Sequence, residues 1–539
     1  MMLFQFLPLV LPLKSCILIS NKNNRYYTWG LFILLTFLLL FRIQSGPIYI
    51  LDEAKNAECA REMWQSGNYI VPTFNGELRT DKPPLHYFFM AAAYSIFGDT
   101  AFAARFFSAI MGVLTVLITF LATKKFIGEM AAYFAALALV VSPHFLFEFR
   151  LSVPDPYLIF FIAAGLFSAF VWLEQKKIAF LYLSAVSLAL AILAKGPVAI
   201  ALPGLCLLVY AALYKKWKTL FSIHLIPAAL LLLLIAAPWY YLVDQATAGE
   251  WTRGFFIDNN INRFSDPQEG HGGFFLLTVI FFSVGLLPFI VYSGEILKNR
   301  KQVFSNQLVR FSLIVVIVFL VFFSLASTKL PNYAMPCYPF AAIVIGYYLN
   351  KLSTGMFQNK NYPVYILFVF GIVLSVAGFF AINSETATEG MGWIAFFLLV
   401  MPVILLFGLK RNQSASIKIK TIVIAFSLFN LIGLSFIYPA LYQQNPVAKT
   451  LDMVKKSDHV LGFQIVNPGY RFYVDKNIPR TTDPNELKRW IDSTGKGIVI
   501  TRKDQLQFLE GLPLKEIASE HDLFELPTTV ILKYDASPQ

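Results

Sequence analysis

The sequence predicts an α-helical polytopic membrane protein with a small C-terminal extracytoplasmic α/β domain. Three observations carry this. The 539 residues are 57% hydrophobic and only 14% charged, whereas a soluble chain carries about 25% charged residues. Long Leu/Ile/Phe runs recur, with 53 Phe in all, and a run of about 20 apolar residues crosses a bilayer as a helix. The composition then turns polar, but only after Gln443.

In chain order, residues 1–27 read as a cytoplasmic or membrane-associated lead. They are apolar up to position 20 apart from Lys14, and the polar run Asn21 to Arg25 follows with no clear cleavage site. About thirteen transmembrane helices are expected within 28–437: 28–44, 101–123, 129–143, 155–174, 178–194, 197–214, 222–243, 273–296, 310–326, 332–349, 362–382, 391–408 and 419–437. Several are short or carry Pro197, Pro203, Pro238 or Pro288, which read as breaks.

Charge fixes the orientation. Alternate loops hold Lys22 and Arg25, Lys124 and Lys125, Lys176 and Lys177, Lys215 to Lys218, Lys298 to Lys301, Lys351 and Lys360, and Lys410 to Lys418. The opposite short loops are nearly free of Lys and Arg, which places the basic set in the cytoplasm. The net charge of +12 therefore reports topology and not a nucleic-acid partner. Residues 45–100, 144–154, 244–272 and 327–333 fall outside, as does the domain 438–539. In that domain helix-like stretches (447–456, 485–492) alternate with β-like runs (460–466, 497–501, 528–533). Cys16, Cys59, Cys206 and Cys337 have no metal-ligand spacing and read as small buried hydrophobes.

The first outer loop, 45–100, is the richest in chemistry. Asp52 and Glu53 open a helix in which Ala54, Ala57, Ala60, Met63 and Trp64 recur at helical spacing, a pattern that suits a membrane surface. The stretch 83–98 reads as a second interfacial helix. Two acids at the start of a helix serve equally as caps or as groups facing a cavity. Asp155, between Pro154 and Pro156 at the outer start of a span, offers the same pair of readings, because a carboxylate at the membrane boundary needs water or a partner. Asp52, Asp155 and Glu53 are therefore the candidate catalytic residues. Outer cations are rare under this topology, so Lys82, Arg263, Arg79 and Lys329 are candidates to hold an anionic phosphate. Tyr333 and Tyr87 are candidates for contact with sugar or lipid.

The run LDEAKNAECAREMWQSGNYIVPTFNGELRTDKPPLHYF, followed in order by LSVPDP, NINRF and STKLPNYAMPCYP, resembles the aminoarabinose-transferase and protein O-mannosyltransferase superfamily over about residues 28–350. The resemblance implies a GT-C fold and a polyprenyl-phosphate sugar as donor. It matches the family's first-loop acid to Asp52, its second-loop acid to Asp155, its phosphate lysine to Lys82, its outer-loop arginine to Arg263 and its tyrosine to Tyr333. The chain departs from the aminoarabinose transferases at Asp81, where they have Glu, and at Asn260, where they have His. Those positions resemble a metal site in that subgroup, so a divalent metal stays open with Asp81 as its candidate ligand, and no cofactor is required.

The expected reaction is transfer of a hexose or pentose, with inversion, to a lipid, glycan or protein at the outer face of the cytoplasmic membrane. A multi-span transporter or lipid flippase is the alternative; it would place its charges along a path through the membrane centre.

Overall fold

The computed structural model describes residues 22–262, 273–410, 413–474 and 476–535. Residues 1–21 of the lead and Arg263 lie outside the described residues. The chain is a multi-pass helical membrane protein. It opens with α1 (Lys22–Leu40), then the first-loop helix α2 (Leu51–Ser66), a hairpin of β1 (Thr73–Phe74) and β2 (Glu77–Leu78), and α3 (Leu85–Phe97). There follow α4 (Ala101–Phe126), α5 (Glu129–Val140), α6 (Pro143–Glu148), α7 (Asp155–Gln175), α8 (Ile178–Lys195), α9 (Val198–Tyr214) and α10 (Leu225–Ala246). Beyond a π-helical turn at Gly254–Asn262 come α11 (Leu277–Gly285), α12 (Ser293–Lys298), α13 (Gln307–Leu325), α14 (Tyr338–Ser353), α15 (Tyr362–Ser384), α16 (Val400–Gly408) and α17 (Ala415–Tyr442).

Among the described residues seven helices are long and apolar enough to cross a membrane: α4, α7, α8, α10, α13, α15 and α17. The expected span 273–296 is two helices meeting at 111°. Pro288 lies at that break, where its ring and missing N–H oppose continuation of the helix. Four more expected spans are shorter apolar helices, Tyr26–Leu40, Glu129–Val140, Val198–Tyr214 and Gly392–Gly408. Pro203 and Pro238 were expected to break their spans, yet both sit inside continuous helices; packed neighbours and local adjustment tolerate proline there.

Both helices expected in the first loop form, but the apolar stripe of α2 is covered by protein. Ala57, Ala60 and Met63 of α2 pack with Tyr87 and Tyr94 of α3, Ala104 of α4 and Phe472 of the C-terminal domain. The start of α2 is pinned by a buried bidentate pair: Arg105 donates from Nε and Nη2 to the two oxygens of Glu53, each at 2.7 Å. Arg105 also donates to the Ile43 and Gly46 carbonyls, and Glu53 accepts from the Ser152 amide at 3.0 Å. Removing one member of such a pair costs about 3–5 kcal/mol. Glu53, expected as a catalytic candidate, is thereby consumed in holding α2 against α4.

The C-terminal region contains α18 (Pro446–Lys455), β3 (Val460–Phe463), α19 (Gly469–Val474), β4 (Arg480–Thr481), α20 (Pro484–Thr494), β5 (Lys496–Arg502), β6 (Lys515–His521) and β7 (Thr528–Asp535). Its sheet runs β4-β3-β5-β7-β6, parallel across β4, β3 and β5 and antiparallel beyond. Sequence patterning located α18, α20, β3, β5 and β7. It missed β6, whose residues KEIASEH are largely exposed on this edge strand. The sheet meets the first loop through buried charges. Arg471 contacts Glu58 at 3.0 Å and Glu62 at 3.4 Å, and Arg61 donates to the Arg471 and Phe472 carbonyls. Glu62 in turn accepts from the Thr73 hydroxyl at 2.6 Å and the Asn75 amide at 2.7 Å. The hairpin that leads into Arg79–Lys82 is therefore clasped from both sides.

Candidate active site

A cavity of about 280 Å³ opens where the first loop meets α7, α8 and α13. Its charged wall is Asp81, Lys82, Asp155 and Lys195, and its apolar wall includes Leu158, Ile162 and Phe323. Local sequence explains each placement. Lys82 precedes Pro83 and Pro84, and a residue before proline is pushed to extended backbone, so the chain leaves the hairpin straight before α3 begins. Trp251 donates its indole N–H to the Arg79 carbonyl at 2.9 Å. Gly254 abuts Thr80 so closely that an added Cβ would lie 2.8 Å from the threonine hydroxyl. These contacts hold the Arg79–Lys82 stretch against the turn that precedes Asn262.

Asp155 starts α7 as the acid of its first turn, and no side chain caps that helix. Its carboxylate receives the Lys195 ammonium at 2.6 Å. Lys195 is the last residue of α8, and Gly196 ends the helix with φ +83, a conformation glycine adopts without strain. A Cβ there would also meet the Phe255 ring at 2.5 Å. The Lys195 ammonium lies 5.5 Å from the centre of the Tyr333 ring, which packs on Phe323 at 5.1 Å. Glu148 is buried beside this pair. Burial, then the charge of Asp155, push its carboxyl above the usual range, while Lys195 and a hydrogen bond from Asn332 oppose that rise.

Asp52 stands at the second position of α2, where no side-chain cap bond forms, and it is exposed. The capping reading therefore does not describe it. Desolvation raises its carboxyl, but Lys82, Arg79, Lys55 and Lys195 outweigh that and hold it below the usual carboxylate range. The same field acts on His86. Burial first, then Arg79, Lys82 and Lys195, hold it well below the ordinary histidine value.

Of the residues expected at the site, Asp81, Lys82, Asp155 and Tyr333 line the cavity, and Asp52 lies within the field of its cations. The others are placed elsewhere. Arg79 is buried, donating to the Asn56 side-chain amide oxygen Oδ1 at 3.0 Å and pairing with Asp81 at 3.3 Å, so it acts on the loop and not on an open surface. Tyr87, expected to touch sugar or lipid, is fully buried between α2 and α3 with its hydroxyl on Asn56; packing removes it from any ligand. Lys329 is buried and spends its ammonium on the Ala326 carbonyl at 2.7 Å.

Lys195 and Glu148 were missed. The signal for Lys195 was present: it falls between the expected spans 178–194 and 197–214, on the side where few Lys are expected. For a metal, the donor set is poor. Among the described residues no three His, Cys, Asp or Glu side chains group together, and Asp81 already faces the Arg79 guanidinium. No step below is routed through a metal.

The family model described as dolichyl-phosphate-mannose-protein mannosyltransferase matches residues 81–242. An uncharacterized protein of Aquifex aeolicus (strain VF5) is 31% identical over 327 residues, 60% of this chain and 73% of the relative. The undecaprenyl phosphate-alpha-4-amino-4-deoxy-L-arabinose arabinosyl transferase of Edwardsiella ictaluri (strain 93-146) is 30% identical over 336 residues, 60% of each chain. Among solved structures, ArnT from Cupriavidus metallidurans bound to undecaprenyl phosphate superposes with a TM-score of 0.78 at 20% identity, over 97% of this chain and 100% of that one. That likeness is one of fold.

Proposed function

We propose a function from the premise that the chain belongs to the aminoarabinose-transferase and protein O-mannosyltransferase superfamily of GT-C-fold glycosyltransferases. It transfers a hexose or pentose from a polyprenyl-phosphate carrier to a lipid, glycan or protein acceptor. The observation that carries this reading is one cavity lined by Lys82, Asp155, Lys195 and Tyr333 together with apolar side chains such as Leu158, Ile162 and Phe323. Such a lining suits a phosphate and a sugar on its polar groups and a prenyl chain on its apolar ones.

In the proposed reaction an acceptor hydroxyl attacks the anomeric carbon. The bond from that carbon to the phosphate oxygen breaks, and polyprenyl phosphate leaves with the electron pair. Lys82 stabilises the charge that develops on the leaving phosphate. Asp52 takes the hydroxyl proton. Asp155, held by Lys195, orients the sugar or acceptor. Arg263 joins Lys82 on the phosphate in this scheme. A transporter reading lacks support from a second cavity, between α7, α8, α9 and α10. Its lining is apolar apart from Ser184, with Trp172, Leu188, Leu208 and Phe221 among its residues, where a transport path would need polar groups.

The alternating Lys/Arg loops support a reaction on the outer face of the cytoplasmic membrane. A reporter fused after Gln539 is expected to be active only if it works outside the cytoplasm. A cytoplasmic-only signal would reverse the orientation.

Lys82→Ala is expected to weaken use of the donor by about 1.5–3 kcal/mol, the worth of a charged hydrogen bond, while leaving the KM for the acceptor unchanged. Initial-rate kinetics with each substrate varied in turn checks this. Unaltered donor kinetics in a folded variant would remove Lys82 from the phosphate.

A further inference from the structure

The turn between β6 and β7 does not behave like an ordinary surface loop. Leu526 at its tip is 96% exposed and Phe524 is 51% exposed. Phe524 holds φ +58, a backbone conformation that a bulky side chain rarely adopts. Two polar groups of the turn are engaged within it. Asp522 is buried and accepts from the Thr529 hydroxyl at 2.6 Å, and the Glu525 amide folds back onto the Asp522 carbonyl at 3.1 Å. What remains outermost is a pair of large apolar side chains.

The position of the turn identifies what they face. The Phe524 amide donates to the Glu385 carboxylate at 3.2 Å, and Glu385 directly follows Ser384, the end of α15. The Phe524 ring lies 6.3 Å from that of Tyr442, the last residue of the α17 span. His521 also reaches Glu385, at 3.3 Å. The turn therefore sits at the ends of two helices long and apolar enough to cross a membrane.

We propose that Phe524 and Leu526 insert into the adjacent bilayer leaflet, so that the C-terminal domain is tethered to the membrane by its β6–β7 turn. An amphipathic surface element of this kind buries its apolar side chains at the boundary between headgroups and acyl chains. The tether adds to the buried charge contacts through which Arg471 holds the same domain on the first loop. It is independent of the transfer chemistry.

The test uses the full-length chain with Cys16→Ser and Leu526→Cys, labelled with an environment-sensitive fluorophore in nanodiscs of phosphatidylcholine and phosphatidylglycerol. Cys59, Cys206 and Cys337 are buried, and the unsubstituted Cys16→Ser chain reports any background labelling. A label on Asp492→Cys serves as the aqueous control. Asp492 is exposed and precedes Lys496, whereas the turn lies at the Arg502 end of the same strand. Expected at Leu526 is loss of emission with lipids carrying a quencher about 5–10 Å below the headgroups, and little loss with aqueous iodide. The Asp492 label should show the reverse. Quenching of the Leu526 label by iodide and not by lipid would overturn the proposal. So would protection from both quenchers, which would assign the turn to a protein contact.

Discussion

Asp52→Asn is expected to reach the membrane in normal amount and to lose sugar transfer by about 10²–10⁴-fold, the range for acid–base catalysis. The substitution keeps the volume of the side chain and its ability to accept a hydrogen bond, and removes the charge. Folding should be spared, because Asp52 is exposed and makes no cap bond; Glu53, one residue on, carries the structural pairing. The cations around Asp52 hold its carboxyl low in the free protein, which makes it a weak base at rest. In the proposed reaction, bound lipid phosphate adds negative charge beside Lys82 and offsets that field. There the charge grows further as the leaving bond breaks, and Asp52 is expected to become more basic as it accepts the proton. A pH series gives the sign. Asp52 is base-competent above its pKa, so activity falls as pH drops through that value. For kcat/KM, which reports the free enzyme, the acid limb should lie below the ordinary carboxylate range. For kcat, which reports the complex, it should lie higher. Coincident limbs, or near-normal turnover by a folded Asp52→Asn chain, would move the search to Asp155.

Lys195→Met is the second large effect. Asp155 is 4% exposed and Glu148 is 5% exposed, so removing the ammonium leaves buried acid charge unpaired. The expected loss of stability is about 3–5 kcal/mol, read as a lower unfolding temperature in detergent, together with loss of transfer. Stability and catalysis separate in the double variant Asp155→Asn/Lys195→Met. Replacing both members of a buried ion pair is often close to neutral, so most of the stability should return while transfer stays lost. A double variant that regains transfer would make the pair purely structural.

The membrane helices were legible because an apolar run of bilayer length has one plausible fate. The two first-loop helices were legible from their spacing. Lys82 was read from the rarity of cations in loops expected outside, Asp155 from a carboxylate expected at the membrane boundary and Tyr333 from following Lys329, and the structure brings all three to one cavity. Local spacing could not separate Asp52 from Glu53; only the family resemblance favoured Asp52. Successive helical residues point about 100° apart, so one of the two faces out and the other meets Arg105, a partner 52 positions away that no local pattern announces. Tyr87 failed for the same reason: its helical phase turns it to α2. The bend at Pro288 and the continuity through Pro203 and Pro238 depend on neighbouring helices. Lys195 is different, since the rarity argument applied to Lys82 applies equally to it.

The most direct test of transfer from a lipid-phosphate carrier is mass spectrometry of that carrier. Purified protein in nanodiscs is incubated with a panel of polyprenyl-phosphate hexoses and pentoses and a membrane lipid and glycan extract. The account predicts that one donor is converted to free polyprenyl phosphate while its sugar appears on an acceptor in equal amount, and that Asp52→Asn abolishes both. Intact donor throughout, with the same protein moving it between leaflets of a liposome, would contradict the account and make the chain a transporter.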